Sequence, residues 1–90
     1  METVRLDGTR LCRRKEAMDL LGQALALPEW WGRNLDALHD CLTEPGQPVR
    51  LELSGREAMA ASPFGRLLLR VLADSAAENP TLELVWSESE

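Results

Sequence analysis

Three short segments with strand-like patterning, at residues 3–6, 49–53 and 81–86, are separated by long stretches whose apolar residues recur at helical spacing. Val49, Leu51 and Leu53 alternate with Arg50 and Glu52, while Leu82, Leu84 and Trp86 share one face of the last segment. Such a chain cannot close its strands as tight hairpins, because helix always intervenes. Connections of that length return the next strand parallel to the last, and right-handed crossovers are the rule. The reading is α/β: a small three-stranded parallel sheet with about four helices packed on it. Parallel sheets are usually covered on both faces, yet two of these strands alternate with charges, so the cover on one side is expected to be partial.

The helices carry their own punctuation. Ala17, Leu21, Ala24 and Leu25 fall at i, i+4, i+7 and i+8 with Met18 alongside, which predicts a helix over 13–25 with Gly22 as a mild weakness. Pro28 is expected to stop it. Asn34 is a good N-cap for a second helix striped by Leu35, Leu38 and Leu42, and Pro45-Gly46 ends that element. One or two helical turns fit the stretch from Ser54 or Gly55 to Ala61. Ser62-Pro63 then opens a long helix through Phe64, Leu67, Leu68, Val71 and Leu72 to Glu78, and Asn79-Pro80 breaks it. Residues 87–90 read as a polar tail.

Ninety residues suffice for one domain over 1–90, burying about two-thirds of the surface the unfolded chain exposes. Ten Lys and Arg against fifteen Asp and Glu give a net charge of −5, which argues against general nucleic-acid binding. Residues 1–33 hold six basic and five acidic groups, a sum of +1; residues 34–90 hold four and ten, a sum of −6. That acidic second part would attract a basic partner. The absence of a long apolar run predicts no membrane span, and the N-terminus lacks a signal-peptide pattern, so a cytoplasmic home is expected. Cys12 and Cys41 then read as free thiols, and one histidine without a CxxC predicts neither metal nor cofactor.

The stretch 27–43 is the unusual one. Asp36, His39, Asp40 and Thr43 fall at i, i+3, i+4 and i+7, one polar stripe opposite the leucines. Trp30 and Trp31 stand just before it, and two adjacent indoles do not enter one core easily, so at least one is expected to face outward or prop the loop. Charged stripes are most often plain solvated surface. Against that, Asp40 and Glu44 lie toward the helix C-terminus, where negative charge opposes the macrodipole. In the long helix, Arg66, Arg70, Asp74 and Glu78 form a row spaced by four with its bases N-terminal, the unfavourable order for both side-chain pairs and dipole. Local helix stability did not select this order. A partner is one explanation, and Arg70 pairing with Asp74 in solvent is the other. An acid–base set of Asp36, His39 and Asp40 with Cys12 or Cys41 as nucleophile needs a pocket that a helix face does not offer. A metal held by the same three residues lacks a fourth ligand.

Residues 27–43 read Leu-Pro-Glu, two adjacent aromatics, Gly, a variable residue, Asn-Leu-Asp-Ala-Leu, a variable residue, and Asp-Cys-Leu-Thr. This pattern resembles the barstar family, inhibitors of barnase-type ribonucleases, at nearly every fixed position; the rest of the chain agrees in length and element order. The resemblance implies a three-stranded parallel sheet with helices, no catalysis, and a loop and second helix that plug a ribonuclease active site. It places the key aspartate on Asp40, a second acid on Asp36, the loop asparagine on Asn34, the interface aromatic on Trp30 with Trp31 beside it, and the close-approach glycine on Gly32. Peripheral acids fall on Asp74 and Glu78, and His39 and Thr43 lie on the same face. The implied partner is a basic, extracellular-type ribonuclease, the chain itself being a monomer when free. The alternative is a barstar-scaffold module whose partner is not a ribonuclease. The chain departs from the family at His39, where the family has tryptophan, and at 44–47, which lacks the family's aromatic and is one residue shorter. Pro80 replaces a family cysteine, and Cys12 is extra.

Overall fold

A computed structural model describes residues 2–27, 31–32, 34–44 and 48–87. Its strands are β1 (Glu2–Asp7), β2 (Val49–Ser54) and β3 (Leu82–Trp86), all parallel in the order β1-β2-β3. The helices are α1 (Arg14–Ala24), α2 (Leu35–Thr43), α3 (Arg56–Ala60) and α4 (Pro63–Glu78). The expected α/β fold is therefore the observed one.

Register explains the sheet's two faces. Val4 pairs with Leu51 and Leu6 with Leu53, while Leu51 in turn pairs with Leu84 and Leu53 with Trp86. Because side chains alternate along each strand, this register stacks the apolar residues on one side, Val85 of β3 excepted, which pairs with Glu52 on the other face. Val4, Leu6, Leu51, Leu53 and Leu82 are buried there, together with Leu21, Leu38, Leu68 and Leu72 from the helices. The opposite face carries Arg5, Arg50, Glu52 and Glu83, half-buried or exposed, so partial cover is what the structure has.

Local chemistry fixes the helix ends. The Asn34 side chain accepts from the Ala37 amide at 2.7 Å to open α2, and Ser62 Oγ accepts from the Gly65 amide to open α4. The same hydroxyl donates to the Cys12 carbonyl at 2.7 Å, tying α4 to the segment before α1. Cys12 is part of that junction, with its thiol directed at the Gly8 and Ala58 carbonyls.

Two details differ from expectation. After β1 the chain forms a 3₁₀ turn, Gly8–Arg10, capped by Asp7, whose carboxylate accepts from both the Thr9 hydroxyl and the Thr9 amide. Those bonds hold the Asp7 pKa below its ordinary value. At its far end α1 closes at Ala24, ahead of Pro28, which lies outside the described residues. Leu27 N–H bonds back to the Gly22 carbonyl at 2.9 Å and Ala26 N–H to Gln23 at 3.2 Å, a Schellman motif with Ala26 at φ 53.

Candidate functional site

The site begins where α1 ends. Trp31 is 5% exposed and belongs to the core, and a Cβ built on Gly22 would sit 3.3 Å from its indole nitrogen. Gly22, a weakness for helix formation, is thus the place where α1 leaves room for the ring. Trp31 packs inside, against α1. As a surface contact it is corrected: a side chain this buried has almost no area to offer. Trp30 lies outside the described residues, as does the 45–47 part of the connection after α2. Gly32 follows at φ 89°, a left-handed conformation that other residues adopt at a cost.

α2 then presents its polar stripe. Asp36 and Asp40 are both exposed, and neither carboxylate has a hydrogen bond or ion pair among the described residues. Asp36 lies in the first turn, where the dipole favours it, but Asp40 does not. Thr43 turns its hydroxyl back onto the helix, donating to the His39 carbonyl at 2.8 Å, so that group is spent within α2. His39, half-buried, places Nε2 3.2 Å from Glu78 Oε2 and joins α2 to α4. Glu78 and Asp74 are exposed on α4, one turn apart. The structure thus gathers Asp36, His39, Asp40, Asp74 and Glu78 along two adjoining helices, with Asn34 at their base as the cap of α2.

One contributor was not read from the sequence. Asn79, which by its type and the following Pro80 reads only as a helix breaker, is buried to 8% exposure. Its side-chain amide donates to the Leu42 carbonyl at 2.9 Å, and its Oδ1 accepts from Thr81 N–H and Oγ1 at 3.0 and 2.7 Å. It ties the end of α2 to the start of β3 and so fixes how α2 stands on the sheet. The Asn-x-Thr spacing makes the local turn legible; the reach to Leu42 is tertiary and leaves no local mark.

Burial pushes the Cys41 thiol up, with Glu44 and Asp40 adding repulsion against a thiolate. A protonated, half-buried thiol is a poor nucleophile. Among the described residues no group of three His, Cys, Asp or Glu could hold a metal ion, and no helix is long and apolar enough to cross a membrane. Two shallow hollows of about 500 Å³ lie beside α1 and beside the ends of β1 and β2, away from α2. Neither hollow opens onto the α2 face, where Asp36 and Asp40 are exposed.

Against known families, residues 1–87 match the model described as Barstar (barnase inhibitor). The chain belongs to the barstar family. No curated protein sequence matches it. The barstar family is an inhibitor domain, not a catalytic one, and barstar-type architecture accounts for the parallel sheet and four helices seen here.

Proposed function

We propose that this protein inhibits a barnase-type ribonuclease by filling its active site with residues 28–43 and presenting Asp40 in place of an RNA phosphate. The observation that carries this reading is the exposed Asp40 carboxylate, without a partner among the described residues, on a helix fixed at both ends by Asn34 and Asn79. A ribonuclease site must hold cationic side chains around a phosphate. A carboxylate held rigidly at that position accepts charge-assisted hydrogen bonds and loses little conformational entropy on docking. Asp36, Asp74 and Glu78 would steer the basic enzyme into the encounter, chiefly through the association rate. Trp30 would supply apolar area at the rim of those contacts and Gly32 a close backbone approach. Trp31 acts from within, by setting the loop's course.

The test is a titration of a barnase-type ribonuclease with the purified protein, following RNA cleavage. Stoichiometric loss of cleavage is expected, and much weaker inhibition by Asp40→Ala. Equal behaviour of the two proteins would sink the reading. A second reading, a module for a different basic partner, is favoured by one observation: His39, paired with Glu78, occupies the centre of the ridge where the family has tryptophan. Binding to a basic protein without inhibition of any ribonuclease would select it.

A further inference from the structure

Four of the chain's ten cations fall within residues 10–15: Arg10, Arg13, Arg14 and Lys15, with no acid among them. All four are exposed. Arg10 meets Glu16 through Nε at 3.1 Å, but Arg13, Arg14 and Lys15 have no hydrogen bond or ion pair among the described residues. They also stand at the start of α1, where positive charge opposes the helix dipole. Neither an internal partner nor helix stability accounts for them.

The hollow of about 500 Å³ beside α1 is lined by Arg10, Arg13 and Lys15 from this run. Its two acids are already engaged: Glu16 with Arg10, and Asp19 in an interaction of its own. What the hollow has left to offer is the positive charge of Arg13 and Lys15. Farther along the helix, half-buried Leu20 and the exposed amide of Gln23 complete the lining. From Lys15 to Gln23 the axis of α1 advances about 12 Å.

We infer that this hollow binds a small phosphate-bearing anion, and that its lining suits a nucleoside diphosphate. The Arg13 guanidinium donates two parallel hydrogen bonds to phosphate oxygens, and the Lys15 ammonium adds a point charge beside it. The base then lies over Leu20, with the Gln23 amide donating to and accepting from its edge. The volume lies within the usual range of small-molecule sites, about 300–1,000 Å³. The net charge of −5 opposes polyanions at long range, but salt screens it beyond about 8 Å, and the nearest charges decide the field inside the hollow. Because the hollow is shallow and open to water, its affinity is modest. The site lies away from α2 and rests on nothing in the ribonuclease reading.

Calorimetric titration of the full chain with ADP, with inorganic pyrophosphate and with adenosine, at about 0.05 M salt, tests the site. ADP is expected to bind with a Kd on the order of 0.1–1 mM, weakening as salt rises to about 0.2 M, and adenosine not to bind. Pyrophosphate as tight as ADP assigns the hollow to the free anion and tighter ADP to the nucleotide; both uphold a phosphate site. Arg13→Glu and Lys15→Glu should each weaken binding at least about tenfold. Arg70→Glu, the same change at an exposed, unanswered cation on α4, should leave it unchanged. Lys15 is the chain's only lysine, so slower acetylation of the Lys15 peptide in the presence of pyrophosphate locates the anion by mass. No binding of either anion at about millimolar concentration, adenosine as tight as ADP, or Arg70→Glu as damaging as Arg13→Glu would each overturn the proposal. So would binding of an RNA oligonucleotide alone, which would assign these cations to a polynucleotide. None of these outcomes bears on ribonuclease inhibition, which is read separately.

Discussion

On the open face of the sheet, Arg5 stands 3.1 Å from Glu52 and Arg50 2.9 Å from Glu83, so each cation is answered by an acid on the next strand. Along α2 and α4 the acids Asp36, Asp40 and Asp74 stand without any such answer among the described residues. Both surfaces are polar, and each rests on the same core. They differ in whether the chain completes its own electrostatics. A neutralised face has nothing left to offer a charged partner, whereas carboxylates held apart on rigid helices keep their full capacity to accept hydrogen bonds from one. Holding them costs the free chain some repulsion and, at Asp40, an unfavourable place on the helix dipole.

The largest effect expected from this difference is at Asp40. Asp40→Ala should leave stability within about 0.5 kcal/mol of wild type, since the side chain is exposed, has no hydrogen bond or ion pair among the described residues, and opposes the dipole. Inhibition of a barnase-type ribonuclease should fall by about thirty-fold to several thousand-fold, corresponding to roughly 2–5 kcal/mol, a range to which the family's own complex contributes. Unchanged inhibition would reduce the ridge to ordinary surface and erase the contrast with the sheet. Next in size is Asn79→Ala. Removing the buried amide orphans the Leu42 carbonyl and the Thr81 donors, and should cost about 2–3 kcal/mol of stability in urea unfolding. Inhibition should weaken as well at temperatures where the variant remains folded, because α2 loses its tie to β3. An effect on stability alone would show that α2 holds its place without Asn79.

What was legible in the sequence follows from how local each feature is. Strand alternation at Val49, Leu51 and Leu53, the caps at Asn34 and Ser62, and the stripe of Asp36, His39 and Asp40 depend on period and on neighbours a few residues away, and all of them could be read. The end of α1 could not. Pro28 was the visible stop, yet the chain turns earlier through Ala26, a residue whose type announces no left-handed conformation. That Trp31 is buried was likewise hidden, since it is decided by the space that Gly22 leaves on another element. By type and position alone Gly22 is only a weak point in the helix. Asn79 was hidden for the same reason: its partner Leu42 is distant in sequence.

Ala26 offers a test of how the loop leading to the ridge is held. A non-glycine residue in the left-handed region is strained, and glycine at this position of a Schellman motif relieves the strain. Ala26→Gly should raise stability by about 0.5–1 kcal/mol, seen as a higher thermal midpoint, with inhibition unchanged. A loss of stability would mean that the methyl group contributes packing that outweighs the strain.

The smallest effect belongs to the sheet face, and it is where the contrast is sharpest. Arg50 and Glu83 are each nearly half exposed, so their attraction is screened by water and opposed by the entropy of holding two long side chains together. Glu83→Gln should therefore change stability by no more than about 0.5 kcal/mol, and by less still in high salt. It should leave ribonuclease inhibition untouched, although it removes one negative charge, as Asp40→Ala does. If net charge alone drove recognition, the two substitutions would weaken inhibition alike. If position on an unanswered ridge drives it, only Asp40→Ala will, and measuring both variants at one salt concentration separates these accounts.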